Sequence, residues 1–200
     1  MAAEIEYSTG DDASYESVDA TGEGYAKGQL FTTVGSFLLG SISLKMYKSA
    51  DATSSFNVDV VTLSGGAPHL IGTVDYNASR VATKYGDTDD LGTDTDGAWI
   101  TIDFSSLAVT LDATTQYAII VWYSNGGSKT IYWRADNTGT YAGGKLMTYQ
   151  ADPAQWNDIG GDVDAMFKIY AGYAFTPPVA GPTKKRIVAA AASSFYYEDI

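Results

Sequence analysis

Apolar and polar residues alternate along most of the chain, and this period of two predicts β-strands. In residues 37–48 the alternation places Ile42, Leu44 and Met46 on one face and mostly polar residues on the other. Residues 116–123 are apolar on both faces, which is typical of a strand in the middle of a sheet. The two segments therefore predict one half-buried strand and one central strand.

Further extended segments complete the pattern. Strands are predicted at 29–34, 56–60, 69–76, 98–104, 129–135, 144–150 and 164–173, and a short one near Ile5 to Tyr7. A hairpin turn is expected at Asn125-Gly126-Gly127, and one helical turn within residues 78–84. No internal repeat of fixed period is visible, which argues against solenoids and propellers. The chain is predicted to be all-β, an antiparallel sandwich or barrel.

The composition changes near both ends and divides the 200 residues into three parts. Residues 1–27 are polar and acidic without a sustained period, and they predict an N-terminal arm. Residues 28–173 form the predicted sandwich domain. Residues 174–200 begin with a stretch rich in proline, which favours an extended linker, and continue into an apolar tail.

The charge balance excludes several classes of partner. The chain has 24 Asp and Glu against 12 Lys and Arg, a formal net charge of −12, so its surface repels nucleic acid and anionic membranes. It has no Cys, which excludes disulfides and thiol chemistry, and it lacks the run of about 18 apolar residues that a membrane helix needs. The first residues lack the features of a secretory signal, so we expect synthesis in a host cytoplasm without secretion.

No catalytic constellation is visible. The chain has one histidine, His69, which follows a Gly-Gly-Ala-Pro turn without a nucleophile motif beside it, and we interpret it as a surface or edge-strand residue. A glycosidase needs two carboxylates, but every Glu lies outside residues 28–173 and the Asp residues cluster in loops. We therefore expect no enzymatic activity and no required cofactor.

An acidic loop is the candidate metal site. Its carboxylates are the hard oxygen ligands that Ca²⁺ prefers, and a structural calcium ion would be held by Asp87, Asp89, Asp90, Asp94 and Asp96. An EF-hand is rejected, because Gly92 falls at the first ligand position and the following residues alternate as a strand. The alternative interpretation is a solvated acidic loop that aids solubility.

A second candidate site combines aromatic rings with planar hydrogen-bonding groups. Sugars are held by such chemistry, because their C–H faces stack on rings while their hydroxyls meet Asp, Asn and Arg. The candidate glycan-binding residues are Tyr132, Trp133, Arg134, Asp136, Asn137, Tyr141 and Trp156. Burial in the core is the alternative interpretation for each tryptophan.

The stretch from about Gly28 to Gly172 resembles a jelly-roll domain of phage virion proteins and of modules in extracellular bacterial proteins. The resemblance is carried by Gln29-Leu-Phe, Ser41-Ile-Ser-Leu-Lys-Met-Tyr47, Trp99-Ile-Thr-Ile, Tyr117-Ala-Ile-Ile-Val, Tyr132-Trp133-Arg134, Tyr141-Ala-Gly-Gly144, Trp156 and Asp164-Ala-Met-Phe-Lys-Ile-Tyr170. It implies an antiparallel jelly-roll β-sandwich similar to carbohydrate-binding modules. Such domains serve glycan binding, capsid decoration and fibre building alike, so the resemblance assigns no functional residue.

Two functions follow as hypotheses. The first is a non-enzymatic virion structural protein of a tailed phage, a capsid decoration, head-fibre or tail-associated subunit on the outer surface that contacts host glycans. Its partners would be other virion proteins and further copies of itself. The tail would then be an assembly arm, with the cations and rings Lys184, Lys185, Arg186, Phe195, Tyr196 and Tyr197; a disordered terminus is the alternative. The second function is a secreted or surface carbohydrate-binding module.

Overall fold

A computed structural model gives the fold, and it describes residues 4–8, 14–19, 26–123, 129–138, 141–160 and 163–172. Within these residues the chain forms strands joined by turns and one short helix, α1 (Val74–Ser79). The strands are β1 (Ile5–Tyr7), β2 (Ser14–Asp19), β3 (Ala26–Thr32), β4 (Phe37–Lys48), β5 (Ser55–Ser64), β6 (Ala67–Pro68), β7 (Arg80–Asp87), β8 (Ala98–Asp103), β9 (Thr110–Leu111), β10 (Gln116–Trp122), β11 (Thr130–Asp136), β12 (Leu146–Ala151), β13 (Ala154–Asp158), β14 (Asp164–Ala165) and β15 (Phe167–Ala171). Thr88–Asp90 and Ser105–Leu107 are short 3-10 helices.

The first sheet is arranged around β4. One edge of β4 pairs with β8 and β9, and its other edge pairs first with β15 and then with β11, all antiparallel. β1 adds to β15, β2 adds to β11, and β14 fills the gap where β11 leaves β4. At this fork the carbonyl of Met166 accepts the indole N–H of Trp133 at 2.9 Å. A fully buried side chain thereby fixes the point at which the sheet divides.

The second sheet has the order β13-β12-β3-β10-β5, with β6 and β7 also paired to β5. β10 is central and its residues 117–121 are all buried, as the sequence pattern predicts for a strand covered on both faces. The inner faces of both sheets share one hydrophobic core, which includes Leu44, Phe31 and Phe167. An ion pair also joins the sheets, because Lys27 of β3 lies 3.0 Å from Glu16 of β2.

The outer face of the second sheet is covered by the chain itself. Residues 67–79, which we call the strap, cross this face and pack Tyr76 onto Leu30, Val61 and Ile120. α1 begins here because the Thr73 hydroxyl accepts the Tyr76 backbone N–H at 3.1 Å and so caps the helix. The strap makes this second small core, and it leaves little of the outer face open.

The structure confirms the predicted all-β fold of two antiparallel sheets; the jelly-roll connectivity stays a prediction. In the described parts of residues 1–27, β1 and β2 pair within the first sheet, and the boundary of the N-terminal arm stays a prediction. Two local predictions are wrong. Residues 69–76 are turn and helix instead of strand, and most of 78–84 is strand instead of helical turn. The tail at 174–200 and the turn at 125–127 lie outside the described residues.

Candidate functional site

The predicted aromatic site is divided by the alternation of β11. Trp133 points into the core and is fully buried, so it is unable to contact a ligand at the surface. Tyr132, its neighbour, points outward and stacks on Tyr47 with ring centroids 4.5 Å apart and an interplanar angle of 12°. Arg134 also lies in β11 and is 8% exposed. Of these three residues, Tyr132 alone presents a ring to the outer face of the first sheet.

Asp136 belongs to a buried polar network at the end of β11. It accepts the Tyr7 hydroxyl at 2.5 Å and the Thr138 backbone N–H at 2.8 Å, while Asn137 beside it is exposed. Burial alone would raise the pKa of Asp136, but the hydrogen bonds from Tyr7 and Thr138 lower it below its usual value. The hydrogen bonds of this carboxylate therefore stabilise the end of β11.

Tyr141 and Trp156 lie away from Tyr132. Tyr141 packs against Phe167 in an edge-on contact with centroids 5.4 Å apart, and burial, with the nearby Asp164 carboxylate, raises its pKa to about 12. Trp156 belongs to the second sheet, where its indole N–H donates to the carbonyl of His69 at 3.0 Å. The seven predicted residues thus form no single surface, because strand alternation and the two sheets distribute them over the core and both faces.

The acidic loop is not assembled into a metal site. Asp87 and Asp94 accept the backbone N–H groups of Asp89 and Asp96 at 2.9 and 3.1 Å, and so they stabilise turns. Asp89 lies 3.7 Å from Lys48. In the part of the chain that the structure describes, no group of three or more His, Asp or Glu side chains is placed to hold a metal ion. Calcium binding by the acidic loop stays a prediction.

A groove on the outer face of the first sheet is the candidate functional site. It has a volume of about 590 Å³ and is lined by the side chains of Ser41, Ser43, Thr101, Asp103, Ser105 and Tyr170. The register produces this set, because Ser41 of β4 lies between Asp103 of β8 and Tyr170 of β15. Ser43 lies one step further along, opposite Thr101, and their hydroxyl oxygens are 2.7 Å apart.

Two backbones approach closely at one end of the groove. The pairing of β15 with β4 shifts by one residue between Tyr170 and Ala171, a bulge that bends the strand and redirects its side chains. Gly40 and Gly172 meet there, and a Cβ on Gly40 would lie 2.6 Å from the backbone nitrogen of Gly172. Since neither glycine projects a side chain, this end of the groove has a backbone floor.

One carboxylate gives the groove its charge. The side chain and the backbone N–H of Ser105 hydrogen-bond to Asp103 and lower its pKa, so that it is ionised at neutral pH. Along the same face, Lys168 lies 3.1 Å from Glu6 and 4.6 Å from the ring centre of Trp99, which is 37% exposed. The groove is therefore bordered by a paired cation and a partly exposed ring.

The sequence contained part of this site. The alternation in residues 37–48 predicts that Ser41 and Ser43 face outward. The alternation in residues 98–104 places Thr101 and Asp103 on the outward face of that strand. The pattern does not show which strands are neighbours in the sheet. A site shared by β4, β8 and β15 is visible only once their pairing is known. A run of small hydroxyl side chains on an outward face was the available signal.

Comparisons with known proteins add little. Neither the protein-family models nor the curated protein sequences that were searched contain a match. Among solved structures, a chain from the X-ray structure of Tomato Aspermy Virus matches with 15% identity, covering 64% of this chain and 78% of that one, at a TM-score of 0.29. A likeness of that size supports no inference about function.

Proposed function

We propose that the protein is a non-enzymatic structural protein of a virion, and that the outer face of its first sheet is the face that contacts a ligand or a partner. The observation that carries the choice of binding face is the difference between the two outer faces. The strap covers that of the second sheet, whereas that of the first sheet bears an open groove with hydroxyls, a carboxylate and a ring. Rigid strands hold these groups in place, as a recognition surface requires.

A binding role fits the chemistry of the groove better than catalysis. Asp103 is exposed, and its lowered pKa makes it a weak general acid at neutral pH. A glycosidase would pair it with a second carboxylate, and the other polar side chains that line the groove are Ser, Thr and Tyr. No histidine among the described residues lines the groove to activate a hydroxyl as a nucleophile, so we infer that these hydroxyls act as hydrogen-bonding groups.

The location on a virion rests on the sequence. A formal net charge of −12 suits an outward position, away from packaged nucleic acid. The resemblance to phage virion domains points the same way, to a tailed phage in which this chain decorates the capsid, forms a head fibre or joins the tail. Other virion proteins and further copies of the chain would be its partners there.

A protein inventory of purified particles tests the location. We expect peptides of this chain in the particle at a fixed stoichiometry that survives a high-salt wash. A chain absent from particles but recovered free from the medium would overturn the proposal and favour the alternative, a secreted or surface carbohydrate-binding module.

A further inference from the structure

We infer that the groove on the first sheet binds an uncharged saccharide through Ser41, Thr101, Asp103 and Tyr170. This inference rests on the proposed binding role of that face and names the class of its ligand. The site differs from the set of residues that the sequence analysis favoured for glycan binding, because no member of that set lines the groove.

The hydroxyl groups of the groove match a ligand rich in hydroxyls. Ser41 and Ser43 follow one strand at alternate positions, about 7 Å apart, and Thr101 lies opposite Ser43. A hydroxyl both donates and accepts, so such an array adapts to neighbouring hydroxyls of either orientation. Thr101 and Ser105 are exposed and Ser41 is half-buried, which leaves these groups accessible.

The charge of the groove selects an uncharged ligand. Asp103 is the one charged side chain among the described residues that line the groove, and it is negative. Two cations near the groove already have partners: Lys84 donates to the Ser106 hydroxyl at 2.9 Å, and Lys168 pairs with Glu6. A sialylated or sulfated glycan would bring its own negative charge against the Asp103 carboxylate, which repels it. The hydroxyl groups of a neutral sugar would instead donate hydrogen bonds to the Asp103 carboxylate.

The shape and the apolar contacts fit a short oligosaccharide. A volume of about 590 Å³ lies within the range of about 300–1,000 Å³ typical of ligand sites. The ring of Tyr170 lines the groove and supplies the flat apolar surface on which a sugar C–H face packs. Trp99 continues this surface beyond Lys168 and would contact a further sugar unit.

The test is an array of immobilised neutral oligosaccharides printed beside their sialylated and sulfated counterparts. We expect the whole chain to bind at least one neutral member. Thr101→Val and Asp103→Asn should each weaken that binding by tenfold or more, because the first removes a hydroxyl and the second removes the negative charge and one acceptor oxygen that face the ligand. Ser41→Ala provides a third variant that leaves the sheet intact.

Thr110→Val is the matched control, since Thr110 is an exposed threonine of β9 that does not line the groove. It should bind as the unaltered chain does, and all variants should melt at similar temperatures. Binding to charged glycans alone, no binding to any neutral member, or equal binding by the groove variants and the control would overturn the inference. The particle inventory is independent: a chain that is absent from particles but binds neutral glycans refutes the virion proposal and leaves this inference standing.

Discussion

Asp59 offers the sharpest test of how the strap is held. Its side chain lies on the outer face of β5, fully buried, and accepts three hydrogen bonds. The Tyr76 hydroxyl donates at 2.7 Å, the Thr83 hydroxyl at 2.7 Å and the Trp122 indole N–H at 3.0 Å. Asp59→Ala removes the acceptor shared by the strap, β7 and β10.

The expected loss follows from the burial of the three donors. Tyr76 is 2% exposed, so its hydroxyl loses its partner without access to water, at a cost of about 1–3 kcal/mol. Thr83 and Trp122 are half-buried and recover part of their bonds from solvent. The bonds to a charged group contribute about 1.5–3 kcal/mol each, and removing a buried carboxylate offsets part of that. We expect a net loss of about 3 kcal/mol.

Equilibrium unfolding in urea measures the effect. A loss of about 3 kcal/mol shifts the midpoint by about 1.5 M if the slope is about 2 kcal/mol per M. Tyr76→Phe removes one donor and should lose less, about 1–2 kcal/mol. Asp51→Ala is the control, since Asp51 is an exposed turn residue. Hydrogen exchange should also become faster in residues 73–79 of the Asp59 variant, because the strap has lost its anchor.

The reasoning fails if Asp59→Ala unfolds within about 1 kcal/mol of the Asp51→Ala control. It also fails if stability falls but exchange in residues 73–79 is unchanged. In that case the carboxylate would support the sheet and not the strap.

Three further expectations are open to simple measurements. Gly144→Ala should lower the free energy of unfolding in urea by about 2 kcal/mol or more, because its Cβ would lie 1.9 Å from the Leu30 carbonyl oxygen. Gly35→Ala is the control, since a Cβ there has nothing within 4 Å. Equal stabilities of the two variants would contradict the clash. Because the pKa of Asp136 is lowered in the folded state, its contribution to the free energy of unfolding is complete above about pH 4 and is lost as the pH falls through the pKa of the folded state. Asp136→Asn should therefore make the free energy of unfolding less dependent on pH in the acid range. Burial raises the pKa of Tyr141 to about 12 and favours the neutral phenol in the folded state, so its contribution to stability is present below about pH 10 and is lost as the pH rises toward 12. An ultraviolet titration of phenolate should show a late-titrating tyrosine that is missing from Tyr141→Phe.

The sequence predicts the strands best where burial on one face is regular. The alternation in residues 37–48 coincides with the bounds of β4, and the doubly apolar segment 116–123 is the central strand β10. Both follow from local pattern, because each position is apolar or polar according to the face it occupies. The short strand at Ile5 to Tyr7 is likewise confirmed.

What the sequence missed depends on contacts between distant residues. Residues 69–76 look extended, but Tyr76 packs on the second sheet and its hydroxyl reaches Asp59, so the segment becomes a strap. The polar character of residues 1–27 hides β2, whose Glu16 is paired with Lys27 across the two sheets. The same limit applied to the groove, since β4 and β15 are far apart in the chain and meet only in the folded sheet.

The pairing of β1 with β15 has a consequence for folding during translation. Ile5 lies opposite Ile169, so β1 is synthesised well before the strand with which it pairs. Contacts between such distant positions slow folding, because the entropy of closing the intervening loop is lost before the stabilising contact forms. On a translating ribosome the first sheet therefore stays incomplete until residues 167–171 have emerged, and a chaperone that shields β4 in the interval should raise the yield of folded chains.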